Sequence, residues 1–313
     1  MIERDTIVVI GSGLMGSGIA ARSALAGNPT ILVDNNELAL KAGYQKAFEC
    51  IDELKDAELY SNENAKTAKN LLKTSVSLID ACNNAKGVIE AVTEKLKVKQ
   101  DLFEKLDLLL PAEVPLMSNT SGLRITDIAA KTKHPERTMT THFWFPAHLV
   151  PLVEVVMSDF TDLNMATKVK DMLNSWGKEA VLVKKDLPGQ LANRLLQAII
   201  REAINVVEIG LASAEDVDTA VKMGMGIRMP IWGPLEHVEA VGLDLALSVQ
   251  KSVLPEISNA SKVSPYLENM VDNGDLGYKT GKGFYDWSVK DMDKLASDRN
   301  AFILNALQFM KKN

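Results

Sequence analysis

The chain has 313 residues, 46% of them hydrophobic, and a formal net charge of −6. That length accommodates two domains, each with its own core. The acidic balance argues against nucleic acid, which demands a basic surface, and the two cysteines, Cys50 and Cys82, stand at no metal or redox spacing. A reducing, cytoplasmic location without a bound metal is expected.

The first predicted strand is the apolar run Ile7-Val8-Val9-Ile10, buried and parallel in character. It breaks at Gly11-Ser12-Gly13-Leu14-Met15-Gly16, and Gly18-Ile19-Ala20-Ala21 opens a helix. A second strand, Ile31-Leu32-Val33, ends in Asp34. Each part serves a dinucleotide: Gly11 makes the tight turn, Gly13 admits a pyrophosphate to the backbone, and Gly16 lets helix and strand pack closely. The free N–H groups and positive dipole end of the helix hold the phosphates. Asp34 stands where a carboxylate accepts from ribose hydroxyls, and Asn35 and Asn36 follow where a 2′-phosphate would require Arg; the expected cofactor is NAD, not NADP. The apolar stretch 7–21, with Ala24-Leu25-Ala26 behind it, imitates an export signal. Glu3, Arg4 and Asp5 give the preceding segment the wrong charge, so the stretch reads as strand and helix. No other stretch has the uncharged length of a membrane span.

Strands alternating with helices continue the pattern of a doubly wound sheet, with candidates at 75–79, 87–92, 114–118 and 137–143. Residues 37–73 form a helical excursion whose six lysines are balanced by six acids between Glu49 and Glu63. It is a solvated helical pair or an arm carrying lysines toward an anionic ligand. Strands at 152–156 and 180–183 flank a helix at 164–176. After Asp186-Leu187-Pro188-Gly189 the chain becomes helix upon helix. The expected architecture is α/β: a Rossmann domain over 1–186 followed by an all-α domain over 187–313 that carries substrate and dimer contacts. The helix at 190–209 is apolar over most of its circumference (Leu191, Leu195, Leu196, Ile199, Ile200, Ala203, Ile204, Val207), with Asn193, Gln197, Arg201 and Asn205 along one stripe. It must be buried on several sides, which predicts a homodimer.

Of the four histidines, His142 ends a predicted strand, where open α/β sheets bind ligands. A proline-bounded turn separates it from the strand holding Glu154, and such a turn can set the two side by side. A carboxylate on one imidazole nitrogen leaves the other free to take a proton. Taken alone, such a pair is more often structural. Ser118-Asn119-Thr120-Ser121-Gly122 joins a strand to a helix as a cap or faces the nicotinamide and a substrate oxygen. Glu94 and Lys99 lie beside the expected cleft, or are ordinary helix-surface charges.

Taken together, these residues resemble the 3-hydroxyacyl-CoA dehydrogenase superfamily, whose members include acyl-CoA enzymes and relatives acting on free acids such as L-gulonate and carnitine. The resemblance spans nearly the whole chain. It runs through Gly11 to Gly16 with Leu14-Met15, Glu90-Ala91-Val92-Thr93-Glu94 with Lys99, and Ser118-Asn119-Thr120-Ser121. It continues with His142-Phe143, Leu152-Val153-Glu154-Val155, Asp186-Leu187-Pro188-Gly189 with Asn193-Arg194-Leu195, Gly233-Pro234, and Lys279-Thr280-Gly281-Lys282-Gly283-Phe284-Tyr285. It implies that His142 is the general base, Glu154 its orienting partner, and Ser121 and Asn193 the groups at the reacting oxygen. It also implies that Gly11, Gly13, Leu14, Met15, Gly16, Asp34, Glu94, Lys99, Asn119, Ser121 and Lys279 contact NAD.

Two departures bear on substrate. Phe145 replaces an Asn usual beside the nicotinamide, and Pro151 stands where many acyl-CoA enzymes have Lys; the latter resembles the free-acid branch. Gly242-Leu243-Asp244 and the ending at 279–287 resemble the acyl-CoA branch, and toward it the balance leans. The expected activity is NAD-dependent oxidation of an L-3-hydroxyacyl-CoA, the alternative a free 3-hydroxy acid. A dinucleotide-binding protein without turnover has no need of the set Ser121, His142, Glu154 and Asn193.

Overall fold

A computed structural model describes residues 6–312, so that Glu3, Arg4 and Asp5 lie outside the described residues. The chain divides into two compact units, one of Met1–Leu191 with Asp298–Asn313 and one of Ala192–Ser297.

The first unit is built on one eight-stranded sheet, in the order β3-β2-β1-β4-β5-β6-β7-β8. Its strands are β1 (Thr6–Ile10), β2 (Thr30–Val33), β3 (Leu72–Ser75), β4 (Ala85–Glu90), β5 (Leu116–Ser118), β6 (Thr138–Phe143), β7 (Leu152–Met157) and β8 (Glu179–Val183). All neighbours run parallel except β6 and β7, which are antiparallel. Helices α1 (Leu14–Leu25), α2 (Glu37–Asp56), α3 (Asn62–Leu71), α4 (Leu78–Cys82), α5 (Leu96–Leu109), α6 (Ile125–Ile128) and α7 (Leu163–Ser175) connect them. Two apolar layers result. Ile7 and Val9 join the layer under α1 and α2, while Val8 and Ile10 join that under α5, because successive side chains of a strand point to opposite faces. Both faces of β1 are therefore covered, which is why it reads as an unbroken apolar run.

The third strand is displaced from its expected position. Residues 75–79 were expected to be extended, but Ser77 caps α4, its Oγ accepting from Asp80 N, and β3 ends at Ser75. The helical excursion breaks between α2 and α3, where Glu58 takes a positive φ of 57° and Ser61 caps α3 together with Asn64. Cys50 and Cys82 are both buried, and burial pushes their thiols up to about 12 and about 11.

The second unit contains α8 (Ala192–Glu208), α9 (Ala214–Ala220), α10 (Pro234–Val241), α11 (Leu243–Val253) and α12 (Pro265–Asp272). The last helix, α13 (Met292–Lys312), returns to the first unit from Asp298 onward, where one all-helical domain over 187–313 was expected. The expected helix 190–209 starts later, at Ala192, because Gly189 (φ 80°) and Gln190 (φ 51°) are left-handed. It was expected to be buried on several sides; within this single chain no residue of α8 is buried. No helix among the described residues is long and apolar enough to cross a membrane.

Candidate active site

The cofactor half is assembled around α1. Gly11 has a φ of 101°, and a Cβ there would meet Ala91 O at 2.5 Å; a Cβ on Gly16 would lie 1.8 Å from Gly11 O. Neither position admits a side chain. Gly13, the N-cap of α1, faces open space with nothing within 4 Å, which leaves room for a phosphate at the helix N-terminus. Asp34 ends β2 with Oδ2 accepting from Ser12 N (3.0 Å) and Ser12 Oγ (2.8 Å) and Oδ1 from Asn36 N (3.0 Å). Burial raises its pKa, but these donors outweigh it and hold the carboxyl below the usual carboxylate value. A cleft of about 830 Å³ runs past Gly11, Ser12, Gly13, Asp34, Val92 and Lys105. A dinucleotide fits it: open backbone for the phosphates and an ionised, partly exposed carboxylate for the ribose.

Across the sheet, the antiparallel register of β6 and β7 sets His142 directly opposite Glu154. His142 Nδ1 and Glu154 Oε2 are 2.8 Å apart, both residues buried. A carboxylate only accepts, so Nδ1 carries a hydrogen, and in the neutral ring Nε2 keeps a lone pair. Glu154 Oε2 also accepts from Trp144 Nε1 at 3.1 Å, and Oε1 accepts from Leu191 N at 2.9 Å. The turn between the two strands is held from beneath by Lys178, whose Nζ donates to Ala147 O and Val150 O. Burial drives that ammonium well below its usual pKa.

The end of β5 ties the two halves together. Asn119 Oδ1 accepts from Phe143 N at 2.9 Å, fixing the residue after His142. Glu94 Oε1 accepts from Ser121 N and Gly122 N, both at 3.1 Å, and from Thr120 Oγ1. Burial pushes the Glu94 pKa up, but Thr120, Gly122 and Lys99 outweigh it and leave the pKa lowered. Lys99 is itself buried, 2.6 Å from Glu90 and 3.3 Å from Glu94. Its Nζ also donates to Val92 O at 3.4 Å, so the enclosed ammonium braces both Glu94 and the backbone of a residue that lines the cleft. Removing either member of the Glu90–Lys99 pair strands a buried charge, at a cost of about 3–5 kcal/mol.

The structure thus brings His142, Glu154, Asn119, Ser121 and Glu94 onto adjoining strand ends of one unit, with Gly11, Gly13, Leu14, Met15, Gly16 and Asp34 on its first two strands and first helix. Asn193, in the first turn of α8, and Lys279, on the wall of an apolar cavity of about 600 Å³, belong to the other unit. Sequence reasoning gave no role to Trp144, Glu90 or the Leu191 amide. Trp144 offers one signal: an indole N–H close after a candidate catalytic histidine needs a partner when its ring is enclosed. A backbone donor such as Leu191 N leaves no mark in a sequence.

Residues 6–187 match the family description "3-hydroxyacyl-CoA dehydrogenase, NAD binding domain", and residues 189–287 match its C-terminal domain. The chain is 31% identical over 293 residues to 5-formyl-3-hydroxy-2-methylpyridine 4-carboxylate 5-dehydrogenase of Mesorhizobium japonicum, covering 94% of each chain. It is 36% identical over 291 residues to a protein of Bacillus subtilis described as a probable 3-hydroxybutyryl-CoA dehydrogenase, covering 92% of this chain and 99% of that one. Among solved structures, the same pyridine-carboxylate 5-dehydrogenase, described as an NAD+ dependent dismutase, aligns with a TM-score of 0.90 at 28% identity, covering 98% of this chain and 99% of the other.

Proposed function

The chain belongs to the 3-hydroxyacyl-CoA dehydrogenase family, and from that premise we propose that it oxidises the carbinol carbon of a small 3-hydroxy acid, with His142 as general base and Glu154 as its orienting partner. It is an NAD-dependent dehydrogenase acting on a CH–OH group. The observation that carries the residue assignment is the cross-strand pair: His142 Nδ1 on a buried carboxylate, with no hydrogen bond on Nε2 among the described residues.

Gly11, Gly13 and Asp34 would hold NAD, which would supply the hydride acceptor for the carbinol carbon. His142 Nε2 takes the hydroxyl proton, and Glu154 stabilises the imidazolium that forms without leaving its position. Trp144 Nε1 and Leu191 N keep the carboxylate from turning. Asn119 holds the backbone of Phe143, so the base cannot drift from the strand end. Ser121 would bind the substrate oxygen, and in the reverse direction His142 would return the proton.

For the acyl group, one observation favours a free acid. A CoA thioester carries phosphates, and the candidate arm offers Lys55, Lys66, Lys69 and Lys73. Lys55 is paired with Asp52 and Asp56 and Lys69 with Asp52, leaving Lys66 and Lys73 without an ion pair among the described residues. The likeness to a pyridine-carboxylate dehydrogenase agrees with this. The thioester is the second reading, supported by the 36% identity to the probable 3-hydroxybutyryl-CoA enzyme. NADH formation with 3-hydroxybutyrate, L-gulonate, L-carnitine and 3-hydroxybutyryl-CoA tests both; oxidation of none of them would refute the proposal. A homodimer through the helical unit is part of this reading, because Leu195, Leu211 and Leu235 are 56%, 72% and 78% exposed in the single chain.

A further inference from the structure

We propose that Arg299, carried by α13, takes the substrate's own carboxylate, so that the enzyme selects a hydroxy compound bearing a free anionic group. This rests on the dehydrogenase reading above. Helix α13 lies wholly beyond residue 287, where the family match ends.

The helix is anchored by several contacts. Gln308 Nε2 donates to Ala57 O at 2.6 Å and Lys311 Nζ to Leu59 O at 2.8 Å, while Ile303, Leu304 and Leu307 pack against the core under α1 and α2. Asn300 Nδ2 donates to Glu53 Oε1 at 3.1 Å, and Glu53 Oε2 lies 2.8 Å from His148 Nε2. His148 sits in the turn that follows His142 and Phe145. The helix is thereby pinned both to the lysine-bearing arm and to the segment leaving the proposed base.

At that junction Arg299 Cζ stands 5.2 Å from the centroid of the Phe145 ring, which is 51% exposed. Such a ring orients a guanidinium and shields one of its faces from water. Nε and Nη2 both donate to Asn300 Oδ1, at 3.2 and 2.8 Å. Arg299 makes no ion pair among the described residues, and its Nη1 has no hydrogen-bond partner there. A planar fork with donors to spare suits a carboxylate. Phe145 lies just past the carboxyl end of β6, which runs parallel to β5, on the edge where open sheets bind ligands. A thioester presents a neutral acyl end that offers Arg299 no partner.

Steady-state kinetics of the wild type and of Arg299→Gln, Arg299→Lys and His142→Gln, with the three free acids and 3-hydroxybutyryl-CoA, test this. We expect one acid to exceed the thioester in kcat/KM. With that acid, Arg299→Gln should raise KM at least tenfold, the affinity of about one charge-assisted hydrogen bond, with kcat and NAD affinity nearly unchanged. Arg299→Lys should fall between, since an ammonium cannot make the bidentate contact. The proposal is overturned if no acid exceeds the thioester, or if Arg299→Gln leaves the KM of the best acid unchanged. His142→Gln reads the base alone: its inactivity alongside an unchanged Arg299→Gln KM removes the carboxylate site and leaves the base assignment standing.

Discussion

Trp144 Nε1 donates to Glu154 Oε2, the same carboxylate oxygen that His142 Nδ1 reaches. One oxygen therefore both orients the proposed base and is itself fixed by a ring from the same strand end. Trp144→Phe keeps most of the ring and deletes the donor. It should lower kcat by roughly tenfold, the weight of a hydrogen bond to a charged group, with KM little changed. His142→Gln should cost about two to four decades while NAD still binds, and Glu154→Gln should also lower turnover, because a neutral partner no longer stabilises the imidazolium. Full activity in His142→Gln would end the assignment.

Asp34 should enforce cofactor choice. Its carboxylate is kept ionised by Ser12 and Asn36, and an ionised group at the ribose repels a 2′-phosphate. NAD should be preferred over NADP by at least tenfold, about 1.4 kcal/mol, and Asp34→Ser should narrow the gap. Equal kcat/KM with both cofactors in the wild type would contradict this.

His148 should make stability depend on pH. Burial outweighs the contact with Glu53, and Lys178 and Lys46 add to the lowering, so its folded pKa lies below the ordinary imidazole value of 6.5. Below that pH the unfolded chain binds more protons than the folded one. The contribution of His148 is therefore complete above pH 6.5 and is lost as pH falls through the lowered folded value. Thermal melts should show the wild-type Tm dropping between about pH 6.5 and 5, before ordinary carboxylates titrate. The His148→Gln variant, which keeps a side chain able to bond Glu53, should stay flat over that interval; parallel curves would exclude His148 as the origin.

The helical unit should pair with a second copy. Along α8, Leu195 is 56% exposed and Leu196, Ile199 and Ile200 are 37–38% exposed in the single chain, an apolar helix face that a second copy would cover. Light scattering at micromolar concentration should report twice the mass of the chain. Ile199→Glu should shift the protein toward monomer, and a wild-type mass equal to one chain would refute the expectation.

The sequence by itself determined the dinucleotide half. Gly11, Gly13, Gly16 and Asp34 act through backbone geometry within one strand-turn-helix-strand unit, where near neighbours decide the conformation. The His142–Glu154 pair was legible for a related reason: a proline-bounded turn between adjacent antiparallel strands fixes which residues oppose each other. Tertiary structure alone decided the rest. Lys99 looked like a surface charge because only the sheet and α5 around it show that it is enclosed with Glu90. Nothing local to residues 292–312 announces that the last helix turns back to pack beside Glu53 and Ala57, which brings Arg299 over Phe145. Those contacts join residues more than 150 positions apart in the chain, and their geometry follows from how layers pack against each other, which local propensity and short-range spacing do not encode.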